Sequence, residues 1–126
     1  MSHNKQRTGR DRRSESRFRI NEAARLLTAG IDATVTILDI SAIDLRVTSP
    51  GPIPRNTTVE IQIGCTKIFG VVKNCRYIRA AEFHVGIVAR PASNSNDHHS
   101  ISLDQLPIYR RARLMNGGVP IDRRLN

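Results

Sequence analysis

Two short groups of polar residues in this chain have the side chains and spacing of a ligand site. Arg13 and Arg17 form the pattern R-x-x-x-R just before the first apolar residues, and Asp39 and Ser41 stand on a polar bend further along. The planar guanidinium group of arginine donates in a fork that fits phosphate oxygens and the O6/N7 edge of guanine. A carboxylate accepts two parallel N–H bonds, such as those from N1 and N2 of guanine, and a hydroxyl serves either phosphate or base. Together they indicate a guanine-nucleotide site that needs neither a metal ion nor a nucleophile.

The bend that carries Asp39 and Ser41 lies between two predicted strands. Residues 33–39 alternate in the way that a strand with one buried face requires, and residues 45–49 form a second apolar-rich run. A turn-forming polar cluster between two such runs is typical of a strand pair with an exposed bend. The segment 37–47 is therefore the one around which the site would be built.

The rest of the chain predicts one small, mainly β domain. Residues 20–27 have helix propensity, but the β character of the later chain favours a strand there. The gaps between strands are too short for the helical crossovers of a parallel sheet, so we expect a six-stranded antiparallel β-barrel or closed sandwich. The fifth strand is expected to bulge at Gly70. Strands are predicted at residues 20–27, 33–39, 45–49, 59–63, 67–78 and 82–88.

A length of 126 residues is that of a single domain with one core. We interpret residues 1–12 as a flexible basic arm and residues 13–90 as the barrel domain. Residues 91–126 are interpreted as a polar loop, a C-terminal helix and a basic tail. For this helix, Ser102 and Gln105 form a capping-box pattern.

The remaining signals in the helical segment concern its ends. Pro107 either kinks the helix or occupies its first turn. Tyr109 and Leu114 carry helical spacing, and the run from Asn116 to Gly118 is expected to end the helix.

The net charge of +9 is concentrated at the two ends of the chain. Residues 1–19 carry a net charge of +5, residues 107–126 carry +4, and residues 20–106 are neutral. A basic end can be a nucleic-acid tail, a membrane-surface patch or a local phosphate clamp, and charge alone does not choose among them.

The remaining signals are weak. Cys65 and Cys75 are ten residues apart without a C-x-x-C spacing, and we expect both to be reduced and buried. His98 and His99 are interpreted as part of a solvated loop rather than a metal site. The sequence has no apolar run long enough for a membrane span and no secretory signal. A cytoplasmic protein is therefore expected.

With these motifs in place, the chain resembles the PilZ domain family, the bacterial receptor modules for cyclic di-GMP. The family pattern is R-x-x-x-R ahead of a six-stranded β-barrel, followed by D/N-x-S-x-x-G. Residues 13–17 match the first motif in full, and residues 39–44 match the second except at its last position. Residues 83–87 resemble the closing strand of the family, and the C-terminal helix is also in keeping with it. The resemblance covers residues 12–88.

The resemblance implies a role for each motif residue. Arg13 and Arg17, with Arg12 beside them, would clamp the phosphates and guanine faces of cyclic di-GMP from the arm. Asp39 and Ser41 would hold a guanine edge on the barrel. Binding would order the arm and change the surface presented to a downstream protein partner.

The last position of the second motif, a glycine in the family, is Asp44 here, and we include it among the ligand-binding positions. Glycine permits positive φ and close approach of a ligand, so we expect Asp44 to adopt a left-handed conformation at a cost of about 1–2 kcal/mol. Its uncompensated carboxylate, at about 4 Å from an anionic ligand, would cost on the order of 4 kcal/mol. Arg46 is expected to offset part of that repulsion.

Two other functions fit the same sequence. A degenerate PilZ domain would keep the fold, lose the ligand and act only through protein contacts. A small basic β-barrel could instead bind nucleic acid through its two ends. An enzyme is not expected, because the sequence offers no nucleophile–base pair and no set of metal ligands.

Overall fold

A computed structural model describes residues 16–91 and 102–121 of the chain. Within these ranges the chain forms six β-strands, a single 3₁₀ turn at Leu103–Gln105 and a final α-helix. The strands are β1 (Phe18–Thr28), β2 (Ile31–Ile40), β3 (Asp44–Ser49), β4 (Thr58–Ile63), β5 (Thr66–Arg79) and β6 (Glu82–Arg90), and the helix is α1 (Pro107–Met115).

The strands close into an antiparallel barrel in the order β1-β2-β3-β6-β5-β4. Pairing of β1 with β4 completes the ring, with Leu26 opposite Ile61 at its centre. Closure pairs both strands that would otherwise be sheet edges. The prediction of a six-stranded antiparallel β-barrel followed by a helix is thus confirmed.

The barrel interior is aliphatic because alternate residues of each strand point inward. Leu26, Ile37, Val47, Ile61 and Ile87 come from five different strands and are all completely buried. Burying a side chain of this type contributes about 1.5–3 kcal/mol. A core built in this way needs few aromatic residues, in keeping with the composition of 4% aromatic residues.

Strand β1 contains residues 20–27, which have helix propensity but were predicted to form a strand. Ile20, Ala24 and Leu26 are buried while Arg19 and Arg25 are exposed, so the segment follows a period of two. Tertiary pairing with β2 and β4 therefore overrides intrinsic propensity, which is a weak preference.

Gly70 is not at a bulge, so that expectation was wrong. It pairs regularly with Val59 on one side and Ala89 on the other. A Cβ at this position would lie 2.5 Å from Cγ2 of Ile87, so glycine is required by close packing of β5 on β6. The β5–β6 ladder is irregular instead at Lys73, between the Val72 and Asn74 pairs, and at Ile78, between the Tyr77 and Arg79 pairs.

The capping-box prediction was also wrong. The hydroxyl of Ser102 donates to Asp104 at 2.6 Å and makes no capping bond to the main chain. Helix α1 begins after Leu106 with Pro107 in its first turn, where the missing N–H of proline costs nothing. Its residues Ile108 and Ala112 enter the core.

The end of α1 follows the sequence expectation in part. Gly117 has φ of 62° just beyond the helix, which is the left-handed conformation that glycine favours at a helix end. Leu114, which has helical spacing in the sequence, is 78% exposed and does not join the core.

The two cysteines are unbonded, as expected, but they are not a buried pair. Cys65 is exposed in the turn between β4 and β5, and Cys75 is partly buried on β5. In residues 16–91 and 102–121, no helix combines the length and apolarity that crossing a membrane requires.

Candidate functional site

The bend between β2 and β3 is fixed by its own hydrogen bonds. The main-chain N–H of Ser41 donates to the carbonyl oxygen of Asp44 at 2.8 Å. The hydroxyl of Ser41 accepts from the N–H of Asp44 at 3.1 Å and donates to the Asp44 carboxylate at 2.7 Å. Because Ser41 is completely buried, its hydroxyl serves the bend and is not presented to a ligand.

Neighbouring elements also hold this bend in place. The N–H of Ala89 on β6 donates to the carbonyl of Ile43 at 2.9 Å, and the N–H of Leu103 donates to that of Ala42 at 2.8 Å. The bend is therefore fastened both to the barrel wall and to the 3₁₀ turn ahead of α1.

Arg17 joins the two sequence motifs directly. Its Nη1 lies 2.5 Å from Oδ1 of Asp39, and its Nη2 lies 2.5 Å from Oδ1 of Asp44. Both carboxylates are 1% exposed and the arginine side chain is 14% exposed. One guanidinium group thus spans the two ends of the bend, with each terminal nitrogen donating to a different carboxylate.

Two more cations complete the cluster from the solvent side. Nε of Arg46 donates to Oδ2 of Asp39 at 2.9 Å, and Nζ of Lys73 lies 2.5 Å from Oδ2 of Asp44. Three cations therefore surround two carboxylates, leaving a net charge of about +1. We call these five residues, Arg17, Asp39, Asp44, Arg46 and Lys73, the bend cluster.

The ion pair between Arg17 and Asp44 favours the charged form of both side chains. Burial acts to raise the pKa of Asp44, but hydrogen bonds from Lys73 and Ser41 and the charge of Arg17 hold that pKa below its ordinary value of 3.8. Burial acts to lower the pKa of Arg17, and the charges of Asp44 and Asp39 with their hydrogen bonds raise it above its ordinary value. The buried charges are thus mutually compensated.

These contacts correct two expectations about Asp44. It is a regular residue of β3 opposite Val88 and does not adopt positive φ, so the strain expected at this position is absent. Its charge is compensated by Arg17 and Lys73, whereas Arg46, the residue expected to offset it, pairs with Asp39. A repulsion of the expected size therefore does not apply.

A groove of about 370 Å³ opens beside the bend cluster on the outer face of β2, β3, β6 and β5, and we call it the strand groove. Asp39, Arg46, Gly86 and Asn74 lie in one cross-strand row along its floor. A Cβ at Gly86 would lie 2.7 Å from Oδ1 of Asn74, so the glycine keeps the centre of the groove open.

The predicted site residues are only partly brought together at this groove. Arg17 and Asp39 line it, whereas Ser41 and Asp44 are buried behind it. Arg12 and Arg13 lie outside the described residues, so their predicted roles stay predictions.

Four polar lining residues were not predicted as site residues from the sequence: Lys73, Asn74, Arg76 and His84. The polar residues that alternate with apolar ones on β6 and on the second half of β5 were an available signal, since they mark an outer face. Lys73 gave no such signal, because it sits on a bulge.

In residues 16–91 and 102–121, no cluster of His, Cys, Asp and Glu side chains could hold a metal ion. No protein-family model matches the chain, and no curated protein matches its sequence.

Proposed function

We propose that this chain is a cytoplasmic receptor domain of the PilZ type, which binds cyclic di-GMP and transmits that signal to a protein partner without catalysing a reaction. The observation that carries the proposal is the contact of Arg17 with Asp39 and Asp44. Two motifs more than twenty residues apart in sequence meet at the mouth of a basic groove on the barrel surface.

The strand groove has the chemistry that a guanine dinucleotide requires. Arg46, Lys73 and Arg76 line it and can neutralise phosphates. The amide of Asn74 can donate to and accept from a guanine edge, and the carboxylate of Asp39 could accept from it once Arg46 turns from Asp39 to a phosphate. At about 370 Å³ the groove is small for a whole dinucleotide, so part of the ligand would project from it. Arg12 and Arg13, ahead of the first strand, would cover that projecting part.

Arg17 has a different part in this proposal from the one its motif implies. Both of its terminal nitrogens face carboxylates, and removing one partner from a buried pair costs about 3–5 kcal/mol. Arg17 therefore anchors the root of the arm, and the phosphates are left to Arg12, Arg13 and the groove cations. Binding would order the arm over the barrel.

A second candidate is supported by Asp44. Its carboxylate engages Arg17 and Lys73, two cations that would otherwise be available to an anionic ligand. In this candidate, the internal pairing substitutes for the nucleotide, and the domain acts only through protein contacts.

Calorimetric titration of the full chain with cyclic di-GMP tests the receptor proposal, with cyclic di-AMP as the control for the base. We expect heat with cyclic di-GMP alone, and a loss of at least about tenfold in affinity for Arg46→Ala. Asp44→Asn should bind more tightly, because it frees Lys73. The matched control is Asp32→Asn, which removes an exposed partner of Arg25 away from the groove.

Absence of heat for the wild-type protein would overturn the receptor proposal for this sequence. Heat for Asp44→Asn alone would then support the second candidate. Steeply salt-dependent binding of nucleic acid of any sequence, unchanged in Asp39→Ala, would favour a nucleic-acid-binding barrel instead.

A further inference from the structure

A second and larger groove lies on the other side of Arg46, between the outer face of β1 and β2 and the segment that follows α1. Its volume is about 770 Å³, within the range of small-molecule pockets. We call it the tail groove. Arg19, Asn21 and Leu38 form its barrel side, and Met115 and Asn116 form its opposite wall.

The wall of the tail groove is held in place by hydrogen bonds to main-chain carbonyl groups of residues 17 and 19. Nδ2 of Asn116 donates to the carbonyl oxygen of Arg19 at 2.8 Å. The N–H of Ile121 donates to the carbonyl oxygen of Arg17, also at 2.8 Å. The groove is therefore formed before any partner arrives, and binding there would cost little ordering of the wall.

The floor of the tail groove coincides with an irregularity of the β1–β2 ladder. Arg19 pairs with Asp39 and Glu22 pairs with Ile37, so two residues of β1 stand opposite the single residue Leu38. Such a bulge leaves main-chain groups outside the ladder and redirects side chains, and bulges are frequent beside binding sites.

The charged side chains that line the tail groove are all positive in the described residues. The guanidinium groups of Arg19 and Arg76 make no hydrogen bond or ion pair with any residue in the described ranges, and both line the groove. Arg46 also lines it, whereas no aspartate or glutamate of residues 16–91 and 102–121 does so. Unpaired cations around a concave surface attract an anionic partner.

The lining between these cations favours an acidic peptide over nucleic acid. Leu38, Met115 and Ile121 are aliphatic, and single-stranded nucleic acid is bound by stacking of its bases on aromatic rings. The exposed aromatic residue Tyr77 does not line the groove. Neither residues 1–15 nor residues 122–126 carry a net negative charge, so neither end of this chain supplies an acidic segment for the groove.

We propose that the tail groove docks an extended acidic segment of a partner protein. Carboxylates of that segment bind Arg19 and Arg76, and its aliphatic side chains pack against Leu38 and Met115. The inference does not depend on the proposed nucleotide function, because Arg19 lines the tail groove and not the strand groove. Since Arg46 and Arg76 line both grooves, a nucleotide in the strand groove would compete with the peptide.

Fluorescence polarisation of a labelled peptide in which glutamate and leucine alternate tests this docking. We expect the wild-type chain to bind it, and the analogue with glutamine in place of glutamate to bind at least about tenfold more weakly. Arg19→Glu and Arg76→Glu should each weaken binding by about tenfold or more. Circular dichroism would verify the fold of each variant, and having two variants keeps the test decisive if one misfolds.

The matched control is Arg55→Glu, which reverses an exposed charge on a loop that lines neither groove. Equal weakening by this control would mean general attraction to a basic protein and would overturn the proposal. Absence of peptide binding by the wild type, or preferential binding of a single-stranded oligonucleotide at the same site, would overturn it as well. Arg19→Glu should leave the heat of cyclic di-GMP binding unchanged, so the two proposals can fail separately.

Discussion

The N–H of Ile121 donates a hydrogen bond of 2.8 Å to the carbonyl oxygen of Arg17. The residue whose side chain spans the bend cluster is thus also fastened, through its main chain, to the segment after α1. The root of the N-terminal arm and the C-terminal segment are therefore in direct contact beside the candidate site.

Deleting residues after Gly118 should loosen the start of β1. The deletion removes the Ile121 N–H, so we expect faster amide hydrogen exchange in residues 16–20, as measured by mass spectrometry. Deletion after Ile121 is the matched control, since it keeps this hydrogen bond. Equal exchange in the two truncated chains would contradict the prediction.

Arg17 and Asp44 should be energetically coupled. Asp44→Asn removes the negative charge that Arg17 and Lys73 share. It should therefore lower the free energy of unfolding by about 3 kcal/mol. A double-mutant cycle with Arg17→Met, followed by urea unfolding, should give a coupling energy of about 1–3 kcal/mol. Additive losses would show that the pair contributes no mutual stabilisation.

Stability should fall at acid pH through Asp44. Its pKa is lowered in the folded protein, so the stabilisation is fully present above the ordinary carboxyl value of 3.8. It is lost as pH decreases from there through the lowered pKa. Urea midpoints across this range should fall more steeply for the wild type than for Asp44→Asn. If the urea midpoints of the two proteins fell equally with pH, the acid sensitivity would come from other carboxylates.

Two glycines on adjacent strands should respond differently to alanine. A Cβ at Gly70 would meet Cγ2 of Ile87 at 2.5 Å and the main-chain oxygen of Val88 at 2.7 Å. Gly70→Ala should therefore cost about 1–3 kcal/mol in urea unfolding.

Gly86→Ala is the comparison, because the three atoms nearest to its Cβ would all belong to the side-chain amide of Asn74, which can rotate away. It should cost at most about 1 kcal/mol. It should nevertheless weaken cyclic di-GMP binding by calorimetry, because it fills the strand groove. Equal losses of stability for the two variants would contradict this account.

The sequence predicted the barrel well because apolar and polar residues alternate over much of its strands. The inward positions of β2, such as Val35 and Ile37, follow a period of two that a helix does not produce. The error at Gly70 has a different origin. A glycine in a strand marks either a bulge or a close approach, and only the position of β6 decides between them.

The candidate site was less predictable because it depends on contacts across the barrel. The partnership of Lys73 with Asp44 joins residues 29 positions apart, and it arises from the bulge in β5. For the same reason, the charge of Asp44 could not be judged from its neighbours in sequence. Its compensation by Arg17 required knowing the path of the chain ahead of β1.

The ladder between β2 and β3 contains only three residue pairs, and Asp39 and Arg46 form one of them. Cations that could bind a phosphate are therefore also cross-links of a short ladder. A ligand that draws Arg46 away from Asp39 must replace its contribution to folding, so tighter binding and a more stable bend are opposing demands on the same side chains.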